Sequence, residues 1–142
     1  MTDGGSNIDI IKLMLRKGHE KLETARLNFN NERYDDTVSR AYYEVYHTIS
    51  AVLMSMGLHF SSHKETIGAF NKEFIKPGTF PGYFFRIIQK LFLERHTSDY
   101  DFVGHIDPEI AREDLDMVME MLDACELYLA KLYNVPQDYW TS

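Results

Sequence analysis

Between Ile8 and Phe29 the apolar side chains recur as Ile8, Ile11, Leu15, Leu22, Ala25 and Phe29, mostly in steps of three or four. That spacing gathers them into one stripe on a helix and would scatter them over both faces of a strand, so it predicts an amphipathic helix. Asn28, Asn30 and Asn31 then favour a turn. A second long helix starts near Tyr34, where Asp35 and Asp36 suit the positive end of a helix dipole, and runs through Val38, Tyr42, Val45, Ile49, Val52 and Met56 to Gly57.

Ser62 with Glu65 three residues later forms a capping box, so a third helix begins there, and Lys76-Pro77-Gly78 ends it. Pro81 and Gly82 mark the entry to a fourth helix, whose apolar pattern of Phe84, Ile87, Ile88, Leu91 and Phe92 runs into Arg95. The polar stretch ERHTSDYDFVGH, residues 94–105, places the C-terminal end of that helix at Arg95 and His96. Asp107-Pro108-Glu109 supplies a capping carboxylate, a proline where no N–H is needed and an acidic first turn, which starts a fifth helix. Its line of Ile110, Val118, Met121, Leu122, Cys125, Leu129 and Leu132 reaches about Tyr133, and Pro136 ends the regular part. No strand-like alternation, repeat or low-complexity linker interrupts the pattern. Short connections force neighbouring helices to run in opposite directions, so the expected fold is an all-α antiparallel bundle of about five helices. It forms one domain over residues 1–142, with its core at about 8–133 between a short flexible N-terminus and a C-terminal tail.

Composition supports a packed core: the 142 residues are 44% hydrophobic and 13% aromatic. Cys125 is the sole cysteine, so no internal disulfide can form, and its apolar neighbours suggest a buried, inert thiol in a reducing compartment. The start MTDGGSN lacks the features of a signal peptide and no apolar run is long enough to span a bilayer, so the expectation is a cytoplasmic protein without a membrane partner. The net charge of −7 opposes broad binding to nucleic acid but leaves room for a small local site. Glu109, Glu113, Asp114, Asp116, Glu120, Asp123 and Glu126, offset only by Arg112, read as a solvated helix face.

Three constellations could carry chemistry. On the second helix Arg40, Tyr43, Glu44 and His47 share one face at about 100° per residue, where a phosphate or base could meet a cation, a phenol, a carboxylate and an imidazole. The plainer reading is an Arg40–Glu44 pair, with the tyrosines and His47 filling a helix interface. His59 and His63 have the i,i+4 spacing of a metal pair, but the capping box divides them and no third ligand is evident. With no HExxH, CxxC pair, glycine-rich phosphate loop or nucleophile elbow, neither a metal nor a cofactor is expected. In the third constellation Arg95 and His96 complement a helix C-terminus, and Asp99 folds back on Arg95. The same groups could act chemically, with Arg95 holding a phosphate and His96 or Tyr100 transferring a proton. Adjacent helical residues diverge by about 100°, so His96 could join Arg95 in one cleft only if a loop began there.

Taken together SRAYYEVYH, the Gly57-to-Phe70 stretch GLHFSSHKETIGAF and the helix end LFLERHTSDYDF resemble the HEPN family over roughly Tyr34 to Leu129, in particular its small stand-alone bacterial and archaeal branch. The resemblance implies an all-α bundle that forms a homodimer and is often encoded beside a minimal nucleotidyltransferase as a toxin–antitoxin-type pair. It also implies a site: catalytic members are metal-independent endoribonucleases carrying an arginine, usually a polar residue after it, then four to six intervening residues and a histidine, two copies of which meet at the dimer cleft. Arg95 and His96 match the beginning. The histidine position is occupied by Tyr100, Asp101 or Phe102 according to spacing, and the next histidine, His105, is too far along. The tyrosine that follows the histidine in the nucleotidyltransferase-paired subgroup is also absent, since Phe102 stands there.

The resemblance therefore implies an RNA- or nucleotide-binding module, partner of a minimal nucleotidyltransferase, whose interfacial cleft is marked by Arg95, Asp99 and Tyr100. Arg40, Tyr43 and His47 are further candidate ligand contacts. The alternatives are a ribonuclease with a divergent motif, in which Arg95, His96 and Tyr100 are catalytic, and a structural dimerisation module in which the cluster only orders the chain.

Overall fold

The computed structural model describes residues 4–100 and 106–142, with side chains over 7–96 and 106–142. Five α-helices follow in order: α1 (Gly4–Asn30), α2 (Tyr34–Met54), α3 (His63–Phe70), α4 (Gly82–Tyr100) and α5 (Pro108–Tyr133). A wide turn of π-helix over Asn71–Ile75 continues α3, and a short 3₁₀ turn over Gln137–Thr141 follows α5. Among the described residues there is no strand, so the all-α bundle expected from the periodicity is the fold.

The central element is α2, which packs against each of the other four helices. Its partnership with α1 depends on Gly18, which sits among the buried Ile11, Leu15, Leu22 and Ala25. A Cβ there would lie 3.3 Å from Glu44 Oε2 and 3.4 Å from Thr48 Oγ1, so the missing side chain lets the two helices approach closely. The start of α5 is tied to the start of α2 by the Ile106 N–H, which donates to Asp35 Oδ1 at 2.9 Å. Both capping signals form. Ser62 Oγ accepts from the Glu65 N–H at 3.0 Å, and Asp107 Oδ1 accepts from the Ile110 N–H at 2.9 Å. Phe70, Phe74, Phe80 and Phe84 with Tyr128 make an aromatic layer that fixes the chain between α3 and α4 against α5.

Three expectations change. First, α4 does not end at Arg95 but continues through His96 to Tyr100. Polar residues alone do not stop a helix, and no glycine or proline follows Gly82 until Gly104. Second, the acidic run on α5 is not wholly solvated: Asp114 and Glu126 are buried, the former held by Lys90 Nζ at 2.6 Å and the latter by His19 Nε2 at 2.6 Å. Helical geometry turns part of such a run inward, and each of these two carboxylates has found a partner. Third, the core extends past Tyr133, because Asn134 adopts the left-handed conformation (φ 56°), turns the chain back and delivers Trp140 into full burial, where its Nε1–H donates to the Glu126 carbonyl at 3.1 Å. Cys125 is free and buried, and burial raises its thiol well above the ordinary value. No helix among the described residues is long and apolar enough to cross a membrane.

Candidate functional site

Successive α-helical residues turn by about 100°, so Tyr42, Tyr43 and Tyr46 of α2 occupy one sector, which faces α3 and α4. Tyr42 belongs to the core by its ring and is almost fully buried, yet its hydroxyl reaches Nδ1 of His63 at 2.7 Å. His63 is the first residue of α3, placed by the Ser62 cap, and its imidazole stacks on Tyr46 with ring centroids 4.0 Å apart. Tyr46 in turn shares a 3.3 Å hydrogen bond with Thr66 one turn further along α3. From α4, Phe92 meets Tyr42 edge-on, and the Arg95 guanidinium lies 5.4 Å from the Tyr42 centroid and 5.1 Å from that of Tyr43. Both distances are within cation–π range, so the negative ring faces help to hold a half-buried cation.

The electrostatics follow from this packing. Burial pushes Tyr42 up to about 12, offset in part by Arg95, so the phenol keeps its proton at neutral pH. Burial and then Arg95 lower His63 below the ordinary histidine value, which favours the uncharged imidazole. His47, beyond Tyr46 on α2, is also lowered, by burial and then by Lys21 and Lys17 of α1. A cation, an imidazole biased towards its neutral form and three phenols are thus gathered in one cluster. An apolar groove of about 570 Å³ adjoins it, lined by Lys64, Ile67, Gln89, Phe92 and the exposed Leu93.

Of the residues singled out in the sequence, Arg95 and Tyr43 meet in this cluster. His96 is exposed and, because the helix continues, stays rotated by about 100° from Arg95. Tyr100 and Asp99 lie on the last turn of α4, but their side chains fall outside the described residues, as do Asp101, Phe102 and His105. Arg40 is exposed one turn before Tyr43. The Arg40–Glu44 pair does not form: Glu44 points inward, is fully buried, and accepts from Thr48 Oγ1 at 2.7 Å. The four-residue face of α2 is thereby split, with Glu44 in the core and Tyr43 and His47 flanking Tyr46. Of the two histidines spaced as a metal pair, His63 faces the tyrosines, and no group of three or more metal-ligating side chains occurs among the described residues.

Sequence spacing misses Tyr42, Tyr46 and His63 as members of one site. Their signal is present in the tyrosine-rich SRAYYEVYH and in SHK, but only helix packing brings the two segments together.

The sequence as a whole is similar to known proteins. The family model described as HEPN domain matches residues 11–128. A "UPF0332 protein" of Thermotoga maritima is 32% identical over 87% of this chain and 93% of its own length. Two proteins of Methanocaldococcus jannaschii named "Putative toxin MJ0142" and "Putative toxin MJ0605" are 31% and 32% identical, over 71% and 63% of this chain and 69% and 67% of their own.

Proposed function

The chain belongs to the HEPN domain family, and from that premise we propose that it is a toxin-like RNA- or nucleotide-binding module whose phosphate receptor is Arg95. The carrying observation is the placement of the Arg95 guanidinium over Tyr42 and Tyr43, beside His63, at the position where the family motif begins. A guanidinium fixed on aromatic faces is ordered before a ligand arrives, so less side-chain entropy is lost when it grips a phosphate. Tyr43 and Tyr46 are only partly buried and offer aromatic edges to a base. Net acidity does not oppose this, because the acidic run lies on α5, while Lys17, Lys21, Arg40 and Lys64 flank the tyrosine cluster. The toxin names carried by two relatives point the same way.

The working unit is a cytoplasmic homodimer formed across the α3–α4 groove, where Phe92 and Leu93 expose apolar surface next to Arg95 and a two-fold axis would bring two Arg95 sites together. Its partner is a minimal nucleotidyltransferase. Metal-independent endoribonuclease activity is the second reading, favoured by the same cation and imidazole in one cluster. Fluorescence anisotropy with labelled structured RNA and with a labelled nucleoside triphosphate tests the first. Arg95→Ala should weaken binding at least tenfold while circular dichroism and sedimentation stay unchanged. Equal affinity of variant and wild type would remove Arg95 from the site and overturn the assignment.

A further inference from the structure

The family motif places its histidine a few residues after its arginine, and this chain has none at the required spacing. A histidine is nonetheless present beside Arg95, delivered from a different helix. We propose that His63 of α3 is the proton acceptor of this site, taking the ribose 2′-hydroxyl proton on Nε2 while Arg95 holds the adjacent phosphate. The inference rests on the reading of Arg95 as a phosphate receptor and adds a chemical step to it.

Geometry supports the pairing. Arg95 and His63 share the same two aromatic neighbours: the guanidinium lies 5.4 and 5.1 Å from the Tyr42 and Tyr43 rings, and the imidazole centroid lies 5.7 and 6.1 Å from the same two rings. His63 is held on two sides, by the stack on Tyr46 and by the 2.7 Å bond from Nδ1 to the Tyr42 hydroxyl. Among the described residues Nε2 has no hydrogen-bond partner, and the ring is partly open to solvent. A phenol both donates and accepts, so Tyr42 can serve Nδ1 in either tautomer and remain bonded when the ring becomes an imidazolium. Tyr42 is thus a positioning residue. Among the described residues the ionisable groups gathered around the imidazole are Tyr42, Tyr43, Tyr46 and His47 of α2 and Arg95 of α4; the nearby cation favours the neutral ring that a base requires.

The step balances without a co-reactant. The 2′-oxygen loses its proton to His63 Nε2 and bonds to phosphorus, the bond from phosphorus to the 5′-oxygen breaks, and that oxygen takes a proton from water. The products are a 2′,3′-cyclic phosphate and a 5′-hydroxyl end, and His63 returns its proton to solvent. Arg95 neutralises the charge that builds on the phosphorane oxygens.

The test uses the full chain in EDTA with a 5′-labelled RNA hairpin set, and the same hairpins with every ribose 2′-O-methylated as the uncleavable control. Wild type should cut the first set only, leaving cyclic phosphate ends. His63→Gln should slow cleavage by about 10²-fold or more, the usual contribution of a general base, with RNA binding retained and the protein still folded at the assay temperature. Tyr42→Phe should lower the rate less and displace the acid limb of the kcat/KM profile, which reports the free protein and in wild type lies below the ordinary histidine range. Cleavage by His63→Gln within threefold of wild type would overturn the proposal while leaving Arg95 in place. Binding without any cleavage by wild type would also overturn it and leave the binding reading standing. Failure of wild type to bind RNA or nucleotide would remove the underlying reading as well.

Discussion

The Tyr42 hydroxyl and His63 Nδ1 stand 2.7 Å apart, a bond that ties the middle of α2 to the first residue of α3. Its partners differ in exposure, since Tyr42 is buried and His63 partly open. Tyr42→Phe deletes the hydroxyl and leaves an imidazole nitrogen that water can reach. The expected cost is therefore that of an ordinary hydrogen bond, about 0.5–1.5 kcal/mol in urea unfolding. A loss above about 3 kcal/mol would show that the phenol does more than hold one imidazole.

How much of this is legible in the sequence depends on the range of the contact. Helix starts are local events, and Ser62, Asp107 and Pro108 announce them correctly. Arg95 and Tyr43 are recognisable because each lies within a patterned segment. The bond from Tyr42 to His63 spans 21 positions and depends on how α2 crosses α3, which spacing along either helix does not encode. Tyr42 is also disguised, since its place in the apolar line marks it as core and hides a hydroxyl that leaves the core at its far end. The end of α4 is misplaced because a run of charged residues resembles a stop, although only glycine, proline or a lost packing face ends a helix reliably. Asp114 and Glu126 look solvated by type, and only the fold reveals that Lys90 and His19 receive them.

Glu44 predicts a pH dependence of stability. It is fully buried between α1 and α5, one carboxyl oxygen bonded to Thr48 and the other without a partner, and burial pushes it up to about 8. The folded state therefore holds a proton that the unfolded chain, near 4.5, releases. Folding takes up that proton between about pH 4.5 and 8, so the Glu44 contribution to unfolding free energy falls as pH rises through this window and is flat above it. Glu44→Gln abolishes the slope. Variant and wild type should be similar near pH 5, and the variant should gain steadily towards pH 8, by about 1.4 kcal/mol for each pH unit crossed within the window. Parallel stability curves for the two proteins across that range would refute the assignment.

Lys90 joins α4 to α5 through Asp114 at 2.6 Å and reaches Glu94 on its own helix at 3.4 Å. Asp114 is almost inaccessible, whereas the Lys90 side chain is 44% exposed, so solvent already screens part of the attraction. Lys90→Met leaves a buried carboxylate beside Glu94, whose own carboxyl is raised by burial and by Asp114. The cost should be about 1.5–3 kcal/mol at pH 7, the range for hydrogen bonds to charged groups. Lys90→Met with Asp114→Leu should recover much of it, because the stranded charge is then gone. A double-mutant cycle in urea measures both, and additive losses would show the pair to be uncoupled.

Trp140 gives the most direct test of where this domain ends. The indole is fully buried, packs edge-on against Tyr133 and Tyr139, and donates to the Glu126 carbonyl, so the last turn of chain closes the core beside α5. It touches none of the Arg95 cluster. Trp140→Ala removes one of the largest buried side chains and leaves a cavity among helices that are already fixed by other contacts, which costs about 3–5 kcal/mol. Deletion of residues 137–142 should cost at least as much, since the 3₁₀ turn and the Gln137 bond to Asp123 Oδ1 at 2.8 Å go with it. Under conditions where the variants remain folded, RNA or nucleotide affinity should match wild type. A truncated chain with undiminished melting temperature would place the boundary at Tyr133, and a stable variant with altered affinity would connect this end of the bundle to the site.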